Sequence, residues 1–576
     1  MTRDDHRGTG LSRRQLLAGA GAAGAGLFAG SAGLIPGFTG VAGAATSGAP
    51  ANSGFFGRMF PGLAPFASVN STVTDALMAV GQPGGIMDAL DNLAAGARAL
   101  ILDPTVNGNP TSTNPYGTNP DNPTMTAGST FVGQFIDHDI TFDQMSRLGV
   151  SKDPLMSPND RTPALDLDSV FGGGPGVRPD LYVPNPDGTA GPQLRIGSGG
   201  VHEDVPRTGN GDGTYTAILG DPRNDENILV AGLHCAHILF YNRVLGDLGS
   251  IDLSPYPAAQ GADLSNAHDQ FLIARQITLW HYQWLLVNEH LPQIAGPAMV
   301  SNVFTNGNKF YNPPAGNAFM PIEFAAACYR FGHSMVRPSY RPNFTSGSGD
   351  STNPGANPFF ALVFDATLPK FSGPIDSDRD DLVGGYPAAR RYIGWQTFFD
   401  FGDGQVKNNK KIDTKLSSVM FDLPVHVIAP PEKSLIVLPQ RNLLRQLTWG
   451  LPSGQQVAKA MGVPPLKPGD MGGIDKVYKP FGSSTPLWYY ILAEAKAASG
   501  GLTLGPIAGR IVTETLIGLL RADPTSYLSV NPRWTPFLGA DLQLGPNLNP
   551  NITGNRSYTR AHFLYYAQVV TPGTYR

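Results

Sequence analysis

The chain has 576 residues, 41% of them hydrophobic and 15% charged, and its 41 basic and 45 acidic side chains leave a net charge of −4. This composition excludes an intrinsically disordered chain, and the missing basic excess argues against a nucleic-acid partner. Two cysteines, Cys235 and Cys328, cannot make a disulfide framework, and 70 glycines and 51 prolines without a fixed period predict long irregular connections rather than collagen or a solenoid.

In chain order, residues 11–17 read Leu-Ser-Arg-Arg-Gln-Leu-Leu and lead through Ala, Gly and Leu to small residues at Ala42-Gly43-Ala44-Ala45. A charged region, a mildly apolar region and a small-residue cleavage site are the order of an export signal. Arg13-Arg14 followed by Leu16-Leu17 resembles the twin-arginine type, and the glycines and Pro36 argue against a membrane anchor. Residues 1–45 are therefore expected to be removed, and the mature chain to work outside the cytoplasm, secreted or periplasmic, after export in folded form. No later segment offers about 18 uninterrupted apolar residues, so no membrane span is expected.

Residues 46–125 are rich in Gly, Pro, Asn, Ser and Thr, with one helix expected over 72–100. Residues 127–143 read as a helix and 144–222 as loop. Helices are expected at 227–245 and 264–291, where Ile273, Ile277, Trp280, Trp284 and Val287 recur at the spacing of one buried helix face. Another is expected at 321–335, then irregular chain over 340–430, then helices near 438–447, 453–461, 484–499 and 505–521. Strand signals are sparse and no internal repeat is present. The expected fold is mainly α with little β: a single large domain of helices joined by long Pro/Gly-rich loops, which are where function concentrates. Its expected bounds are 101–525, with an extension at 46–100 and a C-terminal segment, 526–576, packing on the domain.

Four short constellations carry chemistry. In Gly133-Gln134-Phe135-Ile136-Asp137-His138-Asp139, a helix puts Gln134 and His138 on one face with Asp137 beside it, while Asp139 is turned away. An amide beside an imidazole suits proton shuttling, and a solvated or capped helix is the plain alternative. His333 sits in an apolar segment one turn after Arg330, so it is either a satisfied core histidine or an axial metal ligand. Arg223 and Glu226 follow Gly220-Asp221-Pro222 in a polar turn, where the guanidinium could cap a helix or stabilise an anion. His234 and His237 at i, i+3 could pair on a metal, although no acidic ligand accompanies them at helical spacing. In Thr162-Pro163-Ala164-Leu165-Asp166-Leu167-Asp168, alternating oxygen donors suit a hard cation such as calcium or form a plain surface loop.

Taken in this order, the motifs resemble those of the animal-type haem peroxidases in the peroxidase–cyclooxygenase superfamily, over roughly residues 100–525. The resemblance implies a haem peroxidase domain that reduces hydrogen peroxide and oxidises halide, thiocyanate or phenolic donors through an oxoferryl intermediate. By that resemblance His138 is the distal catalytic histidine, Gln134 the distal glutamine and Arg223 the distal arginine. His333 is the haem iron ligand, Asn442 the asparagine accepting from it, and Arg330 an arginine near a haem propionate. Asp137 and Glu226 match the carboxylates that form esters with haem b, and Asp139, Thr162, the Ala164 carbonyl, Asp166 and Asp168 match a calcium site. The implied partners are hydrogen peroxide and a small anionic or phenolic donor.

The chain departs from the family's disulfide-rich mammalian members. Asn227 stands where one of them carries a methionine linked to haem, so no such link is expected, and Cys235 and Cys328 are expected as free buried thiols. A fatty-acid dioxygenase of the same superfamily is the main rival. Those enzymes place a radical tyrosine three residues before the proximal histidine, a position held here by Arg330, with Tyr329 one residue earlier. A non-enzymatic secreted adhesion module is a further alternative, opposed by the joint presence of His138, Arg223, His333 and Asn442.

Overall fold

Asn70 starts the first helix, α1 (Ser71–Val80), by accepting a hydrogen bond from the Val73 amide, and the chain leaves it at Gly81. Pro83, Gly84 and Gly85 follow, so the single helix expected over 72–100 is two, the second being Ala97–Leu102. Proline lacks the amide and glycine costs too much backbone entropy for a helix to continue through them. The computed structural model describes residues 54–103, 106, 119–200, 202–343, 358–368, 380–388, 390–425, 428, 435–538 and 558–569. The expected export signal lies outside the described residues.

The expected central helices are present. They are α2 (Gly128–Ile140), α3 (Ile228–Asp247) and α4 (Ala267–Leu285), the last running through a π-turn at Leu286–His290 into Leu291–Ala295. Asn227 and Asn266 cap α3 and α4 with side-chain oxygens that accept from the first free amides. The stripe read from the sequence of α4 is buried, with Ile273, Ile277 and Trp280 fully shielded. Helix α3 is long and apolar enough to cross a membrane by length and composition, yet most of it is buried inside the fold. It packs on α2 and α4, where its nearly all-round apolar surface is covered.

The helix expected at 321–335 breaks into a turn at Ile322–Ala325, a 3₁₀ turn at Cys328–Phe331 and the short α5 (Gly332–Met335). Side chains capture the carbonyls that a continuous helix needs: Arg330 Nε donates to Ala325 O, and Gln446 Nε2 to Ala326 O. Further on lie α6 (Leu438–Thr448), α7 (Leu487–Ser499) and α8 (Pro506–Ala522), with a short turn of helix at Gly454–Ala460.

Among the described residues, strand is confined to two-stranded pairings. In one, Asn408–Lys410 runs antiparallel to Asp121–Thr126; in another, Ser339–Asn343 runs antiparallel to Phe359–Leu362, inside a stretch expected to be irregular. The core is continuous from Phe56 to Ala567, so residues of the expected N-terminal extension and C-terminal segment share it with the central helices. Within the C-terminal segment, α9 (Arg560–Tyr566) lies on α3. Cys235 and Cys328 are free and buried.

Candidate active site

A large cleft opens between α2, α5 and α6, with about 1750 Å³ of empty space including its mouth. Its walls hold Gln134, Asp137, His138, Arg223, Glu226, Arg330, His333 and Asn442. Eight residues picked from four separate sequence segments therefore share one cavity.

On one wall, α2 presents His138. Its Nδ1 lies 2.9 Å from Asn224 Oδ1, which leaves Nε2 for the cavity. Burial, reinforced by the Arg223 charge, pushes the imidazole down to about 3, so it is uncharged at neutral pH. Arg223 comes from the 3₁₀ turn Pro222–Asp225, and its own backbone amide donates to the Asp221 carboxylate that caps the turn. The same carboxylate accepts from Arg223 Nε at 3.1 Å and Nη2 at 2.8 Å, and Arg161 Nε reaches it at 2.6 Å. Burial opposes ionisation of Asp221, yet the two arginines hold its carboxyl well below the usual range. Arg223 Nη2 also donates to the His138 and Thr141 carbonyls at the end of α2, and its guanidinium lies 4.1 Å from the Phe142 ring centre. A fixed cation is thereby tied to the helix that carries the histidine.

Gln134 is held from both ends: its Nε2 donates to Glu226 at 3.1 Å and its Oε1 accepts from Asn227 at 3.2 Å. Asn227 also caps α3, so the residue standing in for methionine links the cavity wall to a helix start. Asp137 accepts from the Thr141 hydroxyl at 2.9 Å. Burial raises the carboxyls of Asp137 and Glu226, the latter to about 7, against the pull of Arg330 on the first and Arg223 on both.

In the same cavity, His333 projects from α5 with Nδ1 2.7 Å from Asn442 Nδ2. Asn442 was expected to accept from this ring. Here its amide nitrogen faces the ring, because Arg330 Nη1 takes the Asn442 carbonyl at 3.1 Å. Burial, with Arg330 adding to it, pushes the His333 imidazole down to about 3. Burial pushes the Arg330 guanidinium to about 10, still cationic at neutral pH. Two uncharged imidazoles line one cavity together with the carboxyls of Asp137 and Glu226 and with Arg330, Arg441 and Arg445. This donor set fits a flat, dianionic metal macrocycle.

The aspartate loop meets the back of α2. Asp139 is fully buried and accepts from the Leu167 amide at 3.1 Å and the Ser169 hydroxyl at 3.1 Å. Asp166 accepts from the Thr162 hydroxyl and the Asp168 amide, both at 3.1 Å. Leu167 between them has φ 52°, a left-handed conformation that a β-carbon makes costly. Among the described residues no three His, Cys, Asp or Glu side chains form a ready-made metal cluster. His234 and His237 do not pair: His237 Nδ1 turns to the Leu233 carbonyl and His234 Nδ1 to Asn224. Sequence reasoning missed Asp221 and Asn224, although both flank Arg223 in the same turn.

Residues 157–361 match the animal haem peroxidase family. The human protein named probable oxidoreductase PXDNL is 28% identical over 168 residues, 29% of this chain and 10% of that protein. Mouse thyroid peroxidase is 25% identical over 203 residues, 33% of this chain and 20% of that protein. The matched stretches thus span about a tenth and a fifth of these relatives. Among solved structures, peroxidase A from Dictyostelium discoideum superposes with TM-score 0.52 at 15% identity, covering 91% of this chain and 96% of the other. A fatty acid alpha-dioxygenase from Arabidopsis thaliana superposes with TM-score 0.50 at 15% identity, covering 90% and 76%. Both are likenesses of fold.

Proposed function

Because the chain carries an animal haem peroxidase domain, matched over residues 157–361, we propose that its cavity binds haem b and that the protein reduces hydrogen peroxide while oxidising halide, thiocyanate or phenolic donors. The observation that carries this reading is the pair of uncharged imidazoles, His138 and His333, lining one cavity, each with Nδ1 engaged. His333 would hold the iron through Nε2, with the Asn442 amide turned so that its Oδ1 accepts from the ring's Nδ1–H, and Arg330 would face a propionate. When bound, haem supplies the iron that takes up peroxide and stores its oxidising equivalents.

The chain's own residues supply the proton chemistry. His138 takes a peroxide proton at Nε2 and returns it to the leaving oxygen. Arg223, fixed by Asp221, sets a positive charge beside the oxygen that becomes negative. Gln134, held by Glu226 and Asn227, cannot rotate freely and so orients a small polar reactant. Asp137 and Glu226 are the carboxyls for ester links to the cofactor, and Asn227 offers no sulfur for a third.

Asp139, Thr162, the Ala164 carbonyl, Asp166 and Asp168 form the proposed calcium site. The burial of Asp139 against the loop and the left-handed Leu167 support it. The proposed domain spans 101–525, and the Arg13-Arg14 segment supports export of the folded protein through the twin-arginine route.

The test is the Soret-region spectrum of the haem-supplemented full chain, followed by rapid mixing with peroxide. A high-spin ferric Soret band is expected, and His138→Ala should keep it while reacting with peroxide roughly 10²–10⁴-fold more slowly. Folded protein without a Soret band would remove the haem reading, and unchanged kinetics in the variant would remove His138 as the base. A second reading, fatty-acid dioxygenation, is favoured by one observation: the Tyr329 side chain lines the cavity. Oxygen uptake with a fatty acid, lost in Tyr329→Phe, would select it.

A further inference from the structure

Behind His138 lies a pair of buried side chains that the proposed function does not use. Asn224 is fully buried and His234 is 1% exposed. His138 Nδ1 lies 2.9 Å from Asn224 Oδ1, and Asn224 Nδ2 lies 3.0 Å from His234 Nδ1. Two other buried helical histidines satisfy Nδ1 on their own helix: His237 on the Leu233 carbonyl and His281 on the Ile277 carbonyl. His234, on the same helix as His237, turns to Asn224 instead.

A carboxamide is polar end to end, with an acceptor at one end and donors at the other, and a neutral imidazole carries one N–H. The orientation of Asn224 therefore dictates both rings at once. With Oδ1 toward His138, that ring must carry its hydrogen on Nδ1, and His234 must present a bare Nδ1. If the amide turned over, both tautomers would invert, and His138 would face the cavity with an N–H instead of a lone pair.

We propose that Asn224 and His234 act as a buried lock on the tautomer of His138, keeping the hydrogen on Nδ1 and the lone pair of Nε2 toward the cavity. Both are positioning residues, and the proposal rests on the reading of His138 as the base. Asn224 belongs to the turn that Asp221 and Arg223 anchor, so the lock and the cation are placed by one short segment.

The test uses the haem-free full chain with ¹⁵N-labelled histidine rings, read by long-range proton–nitrogen correlation. The His138 and His234 signals are identified by their loss in His138→Gln and His234→Phe. Wild type is expected to show His138 with Nδ1–H and His234 with Nε2–H. Asn224→Asp, which accepts from both sides, should keep His138 unchanged and move the hydrogen of His234 to Nδ1. Asn224→Leu and His234→Phe should each release His138 into a mixture of tautomers.

In the haem-loaded chain, Asn224→Leu should react with peroxide at least about tenfold more slowly than Asn224→Asp, within the range of a misplaced general base. An Nε2–H His138 in wild type, or a purely Nδ1–H His138 in both Asn224→Leu and His234→Phe, overturns the proposal. The isosteric Asn224→Asp decides the question through His234 even where Asn224→Leu fails to fold. Because the tautomer readout needs neither haem nor peroxide, failure of the peroxidase reading shows separately, as a missing Soret band or an inert wild type.

Discussion

Burial keeps the His138 and His333 rings uncharged, and the nearby cations Arg223 and Arg330 add to it, so each imidazole is pushed down to about 3. The base form of His138 is then present at every pH above that value. The rate of peroxide reaction should accordingly stay level from neutral to about pH 4 and fall only as pH drops through about 3. A fall centred near 6.5, the ordinary histidine value, would show that the ring is not desolvated as described. Asn442 divides its amide between His333 and Arg330. Asn442→Leu should weaken haem affinity about 10–100-fold, as loss of a ligand's hydrogen-bond partner does, measured by haem titration at the Soret band. The residue types were legible in the sequence. The partners were not, because His138 and Asn224 are 86 positions apart and His333 and Asn442 are 109 apart.

Helix α2 carries Gln134, Asp137 and His138 and must sit close to its neighbours. A β-carbon at Gly128 would lie 2.5 Å from the Phe399 ring and 2.7 Å from the Phe398 carbonyl. Gly128→Ala should therefore cost about 1–3 kcal/mol, seen as a lower melting temperature, and should slow the peroxide reaction by displacing the helix. Between α7 and α8, the buried Glu494 carboxylate accepts from the Ile507 amide at the start of α8. Burial raises this carboxyl from 4.5 to about 8 despite that hydrogen bond. Below 4.5 both folded and unfolded chains hold the proton. Between 4.5 and about 8 the unfolded chain loses it first, so stability declines as pH rises through this window. Glu494→Gln keeps an acceptor and removes the titration, so its denaturation free energy should change less with pH across the same range. Helical periodicity predicted these elements well where helices are long. It failed at 321–335, where Arg330 and Gln446 take the carbonyls that would have extended the helix.

At the scale of the molecule, the loop proposed to bind calcium and α2 are the two sides of one buried contact, so occupancy there should be read in global stability. Burial raises the Asp139 carboxyl to about 7, and a proton competes with a cation below that value. Calcium should raise the melting temperature more at alkaline than at mildly acidic pH, by an amount equal to about 2.7 kcal/mol at a hundred times its Kd. Asp139→Asn should remove most of that gain, and an equal response to calcium in wild type and variant would refute the site. The sequence by itself determined what depends on near neighbours. Those features are the long helices, the free buried cysteines, and the order of the histidine, arginine and carboxylate motifs. Only the tertiary structure decided that these motifs line one cavity, that Asn442 turns its nitrogen to His333, and that Asn224 joins His138 to His234. Hydrogen-bond direction and desolvation depend on groups brought close by packing, which spacing along the chain does not encode.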